Sequence, residues 1–174
     1  MKLLDMTNLI VGYLSSAPLD SGGNTLLPNP HGTSAWIYAD YPRMDVTFPR
    51  ISVTQSSGVL NPVAIGEATD MLPSGTLNRA MLAEFTFDID IWVKLNDRFV
   101  DPQGNLFVGT KLRDRYAQDV ITALEQVKPI WAALPDPIID VEIIGIAVTP
   151  LEDEMMLHRK TVTVKITTQW SFDE

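Results

Sequence analysis

Hydrophobic and polar residues alternate most regularly between Glu84 and Lys94, where Phe85, Phe87, Ile89, Ile91 and Val93 interleave with Glu84, Thr86, Asp88, Asp90, Trp92 and Lys94. A period of two sends successive side chains to opposite faces of an extended chain, so this spacing predicts a strand with one buried and one wet face. Lys160 to Trp170 repeats the pattern, with Val162, Val164, Ile166, Thr168 and Trp170 on one face. Together with Ile138 to Thr149, across the acidic connector Leu151-Glu152-Asp153-Glu154, it reads as an antiparallel hairpin. Shorter strands are expected at Ala35–Tyr38 and Arg50–Thr54, separated by a link containing Pro42 and Pro49. A further extended piece, Val63–Glu67, follows the turn signal Ser56-Ser57-Gly58.

The period changes to that of a helix after Thr110. Leu112, Tyr116, Val120, Leu124 and Val127 recur every three or four residues, which predicts a helix with one stripe on the core and an N-cap at Thr110. Pro129 predicts a kink or a stop near Lys128. Leu9, Ile10, Tyr13 and Leu14 predict a short opening helix over Thr7–Ala17, capped by Thr7 or Asn8. The stretches at about 18–34 and 55–83 read as long loops. The fold class that follows is α+β, a mixed and mainly antiparallel sheet packed against two helices on one face, in a single domain over 1–174.

Composition narrows the function classes. The 174 residues contain no cysteine, which excludes disulfides and thiolate chemistry and points to a reducing compartment. A formal net charge of −9 argues against a protein that grips phosphates, although an acidic wall still suits a surface that DNA slides past. The start, Met1-Lys2-Leu3-Leu4-Asp5, turns polar too early for a signal peptide, and no apolar run reaches the roughly 18 residues of a membrane span.

Candidate chemistry is sparse. Gly104 and Gly109 have the spacing of a phosphate-binding loop, but Thr110 and Lys111 stand in the reverse of the order such a loop needs, so a turn and a helix start are expected there. Glu84, Asp88 and Asp90 share a strand face and define the enzyme alternative, a metal-dependent site, while a solvated acidic stripe is the plainer expectation. His31 and His158 fall in no recognised pattern, and no nucleophile elbow is present. No catalytic residue, metal ligand or cofactor is therefore expected. Lys111, Arg113 and Arg115 crowd a helix start, where cations oppose the dipole; acidic partners in this chain or a neighbour would offset that, and a solvated helix end is the plainer expectation. Leu60, Val63, Ile65, Met71, Leu72, Leu77 and Met81 give the 55–83 stretch more apolar content than a loop normally exposes, with the basic Arg79 among them; partner docking or burial in its own domain follows.

The order of elements, with Phe48-Pro49-Arg50-Ile51-Ser52-Val53, the strand FTFDIDIWVK, the helix LRDRYAQDVITALEQ and the closing strand KTVTVKITTQW, resembles the phage tail terminator (tail completion) proteins over most of the chain. That resemblance rests on size and order rather than on diagnostic residues. It implies a non-enzymatic virion subunit, assembled in the host cytoplasm, that forms a ring, commonly a hexamer, on the last layer of tail-tube protein. The ring would meet head-completion or neck proteins and let DNA through its lumen without specific binding. A head-completion or neck connector protein is the alternative within the same class.

Overall fold

A computed structural model describes residues 3–39, 47–62, 70–71, 77–101, 103–134, 138–152 and 156–172. Its elements are α1 (Leu3–Ser15), β1 (Ile37–Tyr38), β2 (Arg50–Pro62), β3 (Asp70–Met71), β4 (Leu77–Lys94), β5 (Arg98–Val100), β6 (Leu106–Val108), α2 (Thr110–Ala132), β7 (Ile138–Glu152) and β8 (Leu157–Phe172). The main sheet runs β1-β2-β4-β8-β7, with β3 paired to the start of β4, and a second sheet consists of β5 and β6. Among the described residues only the β1–β2 pair is parallel; β2–β4, β4–β8 and β7–β8 are antiparallel. This is the α+β architecture that the two periodicities predict.

The alternation at 84–94 does its work on the helix side. Phe85, Phe87, Ile89, Ile91 and Val93 are buried together with Ile51 and Val53 of β2 and Val162, Val164 and Ile166 of β8. Met6, Ile10 and Leu14 of α1 and Leu112, Tyr116, Val120, Leu124 and Val127 of α2 complete one hydrophobic core on the same face. Burial of this much apolar surface, at about 25 cal/mol per Å², is the principal stabilising term. The helices join through the Tyr13 hydroxyl, which donates to the Ala123 carbonyl at 3.1 Å, and through an edge-to-face contact of Tyr13 with Trp131 at 5.7 Å.

Several boundaries differ from the sequence reading, each for a visible reason. The Ser56-Ser57-Gly58 turn is instead the interior of β2, which bulges between Gln55 and Ser57 and continues to Pro62. Gly58 lies opposite Phe85, and a Cβ there would meet that ring at 2.9 Å, so the glycine makes room for an aromatic ring rather than for a reversal. The expected 55–83 loop is therefore largely strand, because β4 begins at Leu77, pairs there with β3, and pairs with β8 from Arg79 to Lys94. Val63–Glu67 lies outside the described residues.

Helix α1 begins at Leu3, ahead of the Thr7 and Asn8 caps, and α2 starts at Gly109 with no side-chain cap, Thr110 being its first helical residue. Helix α2 also passes through Pro129 to Ala132. Proline removes one backbone donor, but the added turn buries Trp131 against Tyr13.

Candidate functional site

The helix-free face of the sheet carries the polar residues of β2, β4, β8 and β7 in rows: Arg50, Trp92, Arg159 and Thr149; then Ser52, Asp90 and Thr161; then Thr54, Asp88 and Thr163. Contrary to the expected wet face, Arg50, Ser52, Asp90 and Trp92 are buried. The reason is cross-strand pairing by residues distant in sequence. Trp92 Nε1 donates to Ser52 Oγ at 3.0 Å, the Arg159 guanidinium lies 5.1 Å from the Trp92 ring, and Thr161 Oγ1 donates to the Asp90 carboxylate. Arg50 stacks on Tyr38 at 3.8 Å. Burial pushes the Asp90 carboxyl above its ordinary range, against the opposing effects of the Thr161 hydroxyl and the Arg159 charge.

Asp88 accepts from Thr163 Oγ1 at 2.8 Å, so each aspartate is engaged by its own threonine. Glu84 is four residues along the strand, opposite Thr167. Among the described residues no group of three or more His, Asp or Glu side chains is placed to hold a metal ion. The three carboxylates thus do not converge. His31 and His158 do not meet either: the His31 ring bonds through Nε2 to the Pro49 carbonyl at 2.8 Å, and His158 lies on β8 opposite Val93. Gly104 and Gly109 are separated by β6 and make no phosphate cradle.

The cations at the start of α2 divide. Arg113 is buried and paired with Asp114 at 2.8 Å, and Arg115 reaches Asp101 at 3.0 Å while lying over Phe107 at 4.5 Å. Their acidic partners come from this chain; of the three cations Lys111 is exposed, Arg115 partly buried and Arg113 buried. Leu60 is exposed on β2, whereas Met71, Leu77, Arg79 and Met81 sit on β3 and β4 rather than in a loop, and Val63, Ile65 and Leu72 lie outside the described residues.

The surface that the sequence reading missed is on β7 and on the β5–β6 hairpin. Strand β7 ends the sheet and has no strand on its outer side among the described residues. Of its three irregularities, two fall between Ile138 and Asp140 and between Ile143 and Gly145, so Ile139 and Ile144 are extra residues there and stand 57% and 49% exposed. Ile146 and Val148, opposite Val162 and Lys160, point to the helix side but remain more than half exposed. Between β7 and α2 lies a groove of about 190 Å³ lined by Leu124, Glu125, Lys128, Val141, Glu142 and Ile143.

The hairpin turn has a signal in the sequence that periodicity does not capture. Asp101 Oδ1 accepts from the Asn105 amide at 2.7 Å, and Gly104 takes φ of 86°. The same Asp-x-x-Gly-Asn pattern at Asp20–Asn24 closes the same way, with Asp20 Oδ1 accepting from the Asn24 amide at 2.8 Å and Gly23 at φ of 79°. The side-chain amides of Asn24 and Asn105, which donate to Asp20 Oδ2 and Asp101 Oδ2 at 2.9 Å, hold both carboxyls below the ordinary range, and the backbone amides add to the effect.

Among the described residues no helix is long and apolar enough to cross a membrane. The sequence matches no protein-family model, and no curated protein matches it.

Proposed function

We propose that this chain is a structural subunit of a virion tail, a tail terminator that assembles into a ring on the end of the tail tube and joins it to the neck. The observation that carries the reading is the open edge of β7, along which Ile139, Ile144, Ile146 and Val148 are exposed. Proteins that remain single guard such an edge with charge, proline or a covering element. Here the exposed residues include four branched aliphatics, and the charges beside them, Asp140 and Glu142, are each paired within the chain, which suits a strand whose outer side is meant for another subunit.

Two further features support it. The helix-free face presents Thr54, Thr86, Asp88, Thr161 and Thr163, a polar and partly acidic lining suited to a channel past which DNA moves. The polar groups on that face are tied to one another across strands rather than arranged around a reacting centre. The test is to add the purified chain to tail-tube subunits as they polymerise. Tubes that stop lengthening and carry the protein at one end are expected. Tubes that lengthen unhindered, with no protein at their ends, contradict the proposal.

A further inference from the structure

The β5–β6 hairpin is built like a fixed knob. Phe99 and Phe107 face each other and turn inward, Phe99 toward the Tyr116 ring at 6.4 Å and Phe107 beneath Arg115. The Asp101 turn and its ion pair with Arg115 anchor the tip. The opposite face carries Arg98 across from Val108 and Val100 across from Leu106. Val100 and Leu106 are 56% and 58% exposed. Neither Arg98 nor the exposed Lys111 has an ion-pair partner among the described residues.

The groove between α2 and β7 has the complementary character. Its floor is closed by Leu124 and Val141, both buried in the core, and flanked by the partly buried Ile143, with three charges standing among them. Lys128 is neutralised by Asp140 at 3.2 Å and Glu142 by Lys165 at 2.9 Å, which leaves Glu125 without an ion-pair partner among the described residues. An anchored apolar knob with unpaired cations and an apolar groove with an unpaired carboxylate thus sit on one molecule. Arg98 adjoins the start of α2, and Glu125 is fifteen residues into it, roughly 20 Å at about 1.5 Å per residue. The hairpin is therefore fixed at the other end of the helix from the groove of its own chain.

We infer that the β5–β6 hairpin of one copy docks in the α2–β7 groove of a second copy, with Leu106 and Val100 on the apolar floor and Arg98 facing Glu125. The contact is head to tail, so repetition closes it into a ring or extends it into a filament. The inference rests on the proposed self-assembly and names the two surfaces that perform it; it also places the docked hairpin beside the open edge of β7.

Arg98→Glu and Glu125→Arg are both exposed substitutions, and circular dichroism checks that each variant folds. Sedimentation velocity of each variant alone is expected to show self-association weakened by about tenfold or more, because each sets like charges against one another. An equal mixture of the two is expected to recover wild-type assembly, since each knob then finds a groove of opposite charge on the other variant. Leu106→Asp, which buries a charge in the same contact, is expected to weaken assembly without rescue by either partner. Variants that assemble alone as well as the wild type, as they would if the free edge of β2 met β7, overturn the inference while leaving the proposed function standing. A mixture that fails to recover also overturns it. A wild-type chain that stays monomeric overturns both.

Discussion

Asp90 shows how a residue on a nominally wet face comes to be buried. Alternation placed Asp88, Asp90 and Trp92 together correctly, but what encloses Asp90 and Trp92, Ser52 and Arg159 with Thr161, comes from strands dozens of residues away, and a local pattern cannot register that. Burial raises the Asp90 carboxyl, so the folded chain holds this proton more tightly than the unfolded chain does. Its contribution to stability is then greatest at low pH and declines as pH rises from the ordinary carboxylate value through the raised one. Asp97 and Asp119, also raised chiefly by burial, act in the same direction, whereas Asp101 and Asp140 are lowered, and their contributions are lost as pH falls. Asp90→Asn keeps an acceptor for Thr161 and removes the buried charge. It is expected to raise the urea midpoint at pH 7 and leave it unchanged at pH 3; a lower midpoint at pH 7 refutes this account of the cluster. Tyr116 makes a simpler case. Its ring packs on Trp36 at 5.1 Å, its hydroxyl has no hydrogen-bond partner among the described residues, and burial pushes the phenol well above its ordinary value. Tyr116→Phe is expected to add about 1 kcal/mol of stability by removing a buried unsatisfied group. Thermal unfolding checks it, and a loss of that size contradicts it.

At the scale of elements, the parts legible in the sequence were those whose pattern was long enough to repeat. The strand at 84–94, the helix from Thr110 and the closing hairpin each carry several periods of apolar spacing, and each is present. The arm formed by the far halves of β2 and β4 was not legible, because Ser56-Ser57-Gly58 has the composition of a turn and only pairing with Phe85 and Thr86 reveals a bulged strand. Gly58→Ala tests that explanation. Overlap with the Phe85 ring is expected to cost about 1–3 kcal/mol, and a neutral result in chemical denaturation would mean that the glycine serves some other purpose. The β5–β6 hairpin escaped notice because its strands are three residues each, below the length at which alternation means anything. Its stronger signals were the repeated Asp-x-x-Gly-Asn turn and Gly109, which joins the hairpin to α2 with φ of 52° and where a Cβ would meet the Leu95 carbonyl oxygen at 2.8 Å. Gly109→Ala is expected to destabilise by more than about 1 kcal/mol, from left-handed strain and that collision together.

For the whole molecule, the acidic charge and the distribution of apolar surface bear on assembly more than any single residue does. A chain of net charge −9 repels its own copies at long range, so association has to come from local contacts that outweigh that repulsion. The exposed aliphatic residues of β7 and of the hairpin, together with the groove beside α2, are where the structure offers them. They lay outside the sequence-derived interface list because exposure on a strand edge depends on which strand ends the sheet, and that is settled by topology rather than by local spacing. The account turns on self-assembly, and the most direct measurement is the native mass of the purified chain over a wide concentration range by analytical ultracentrifugation. One closed oligomer that persists on dilution is the predicted result, and a monomer at every concentration would contradict the account.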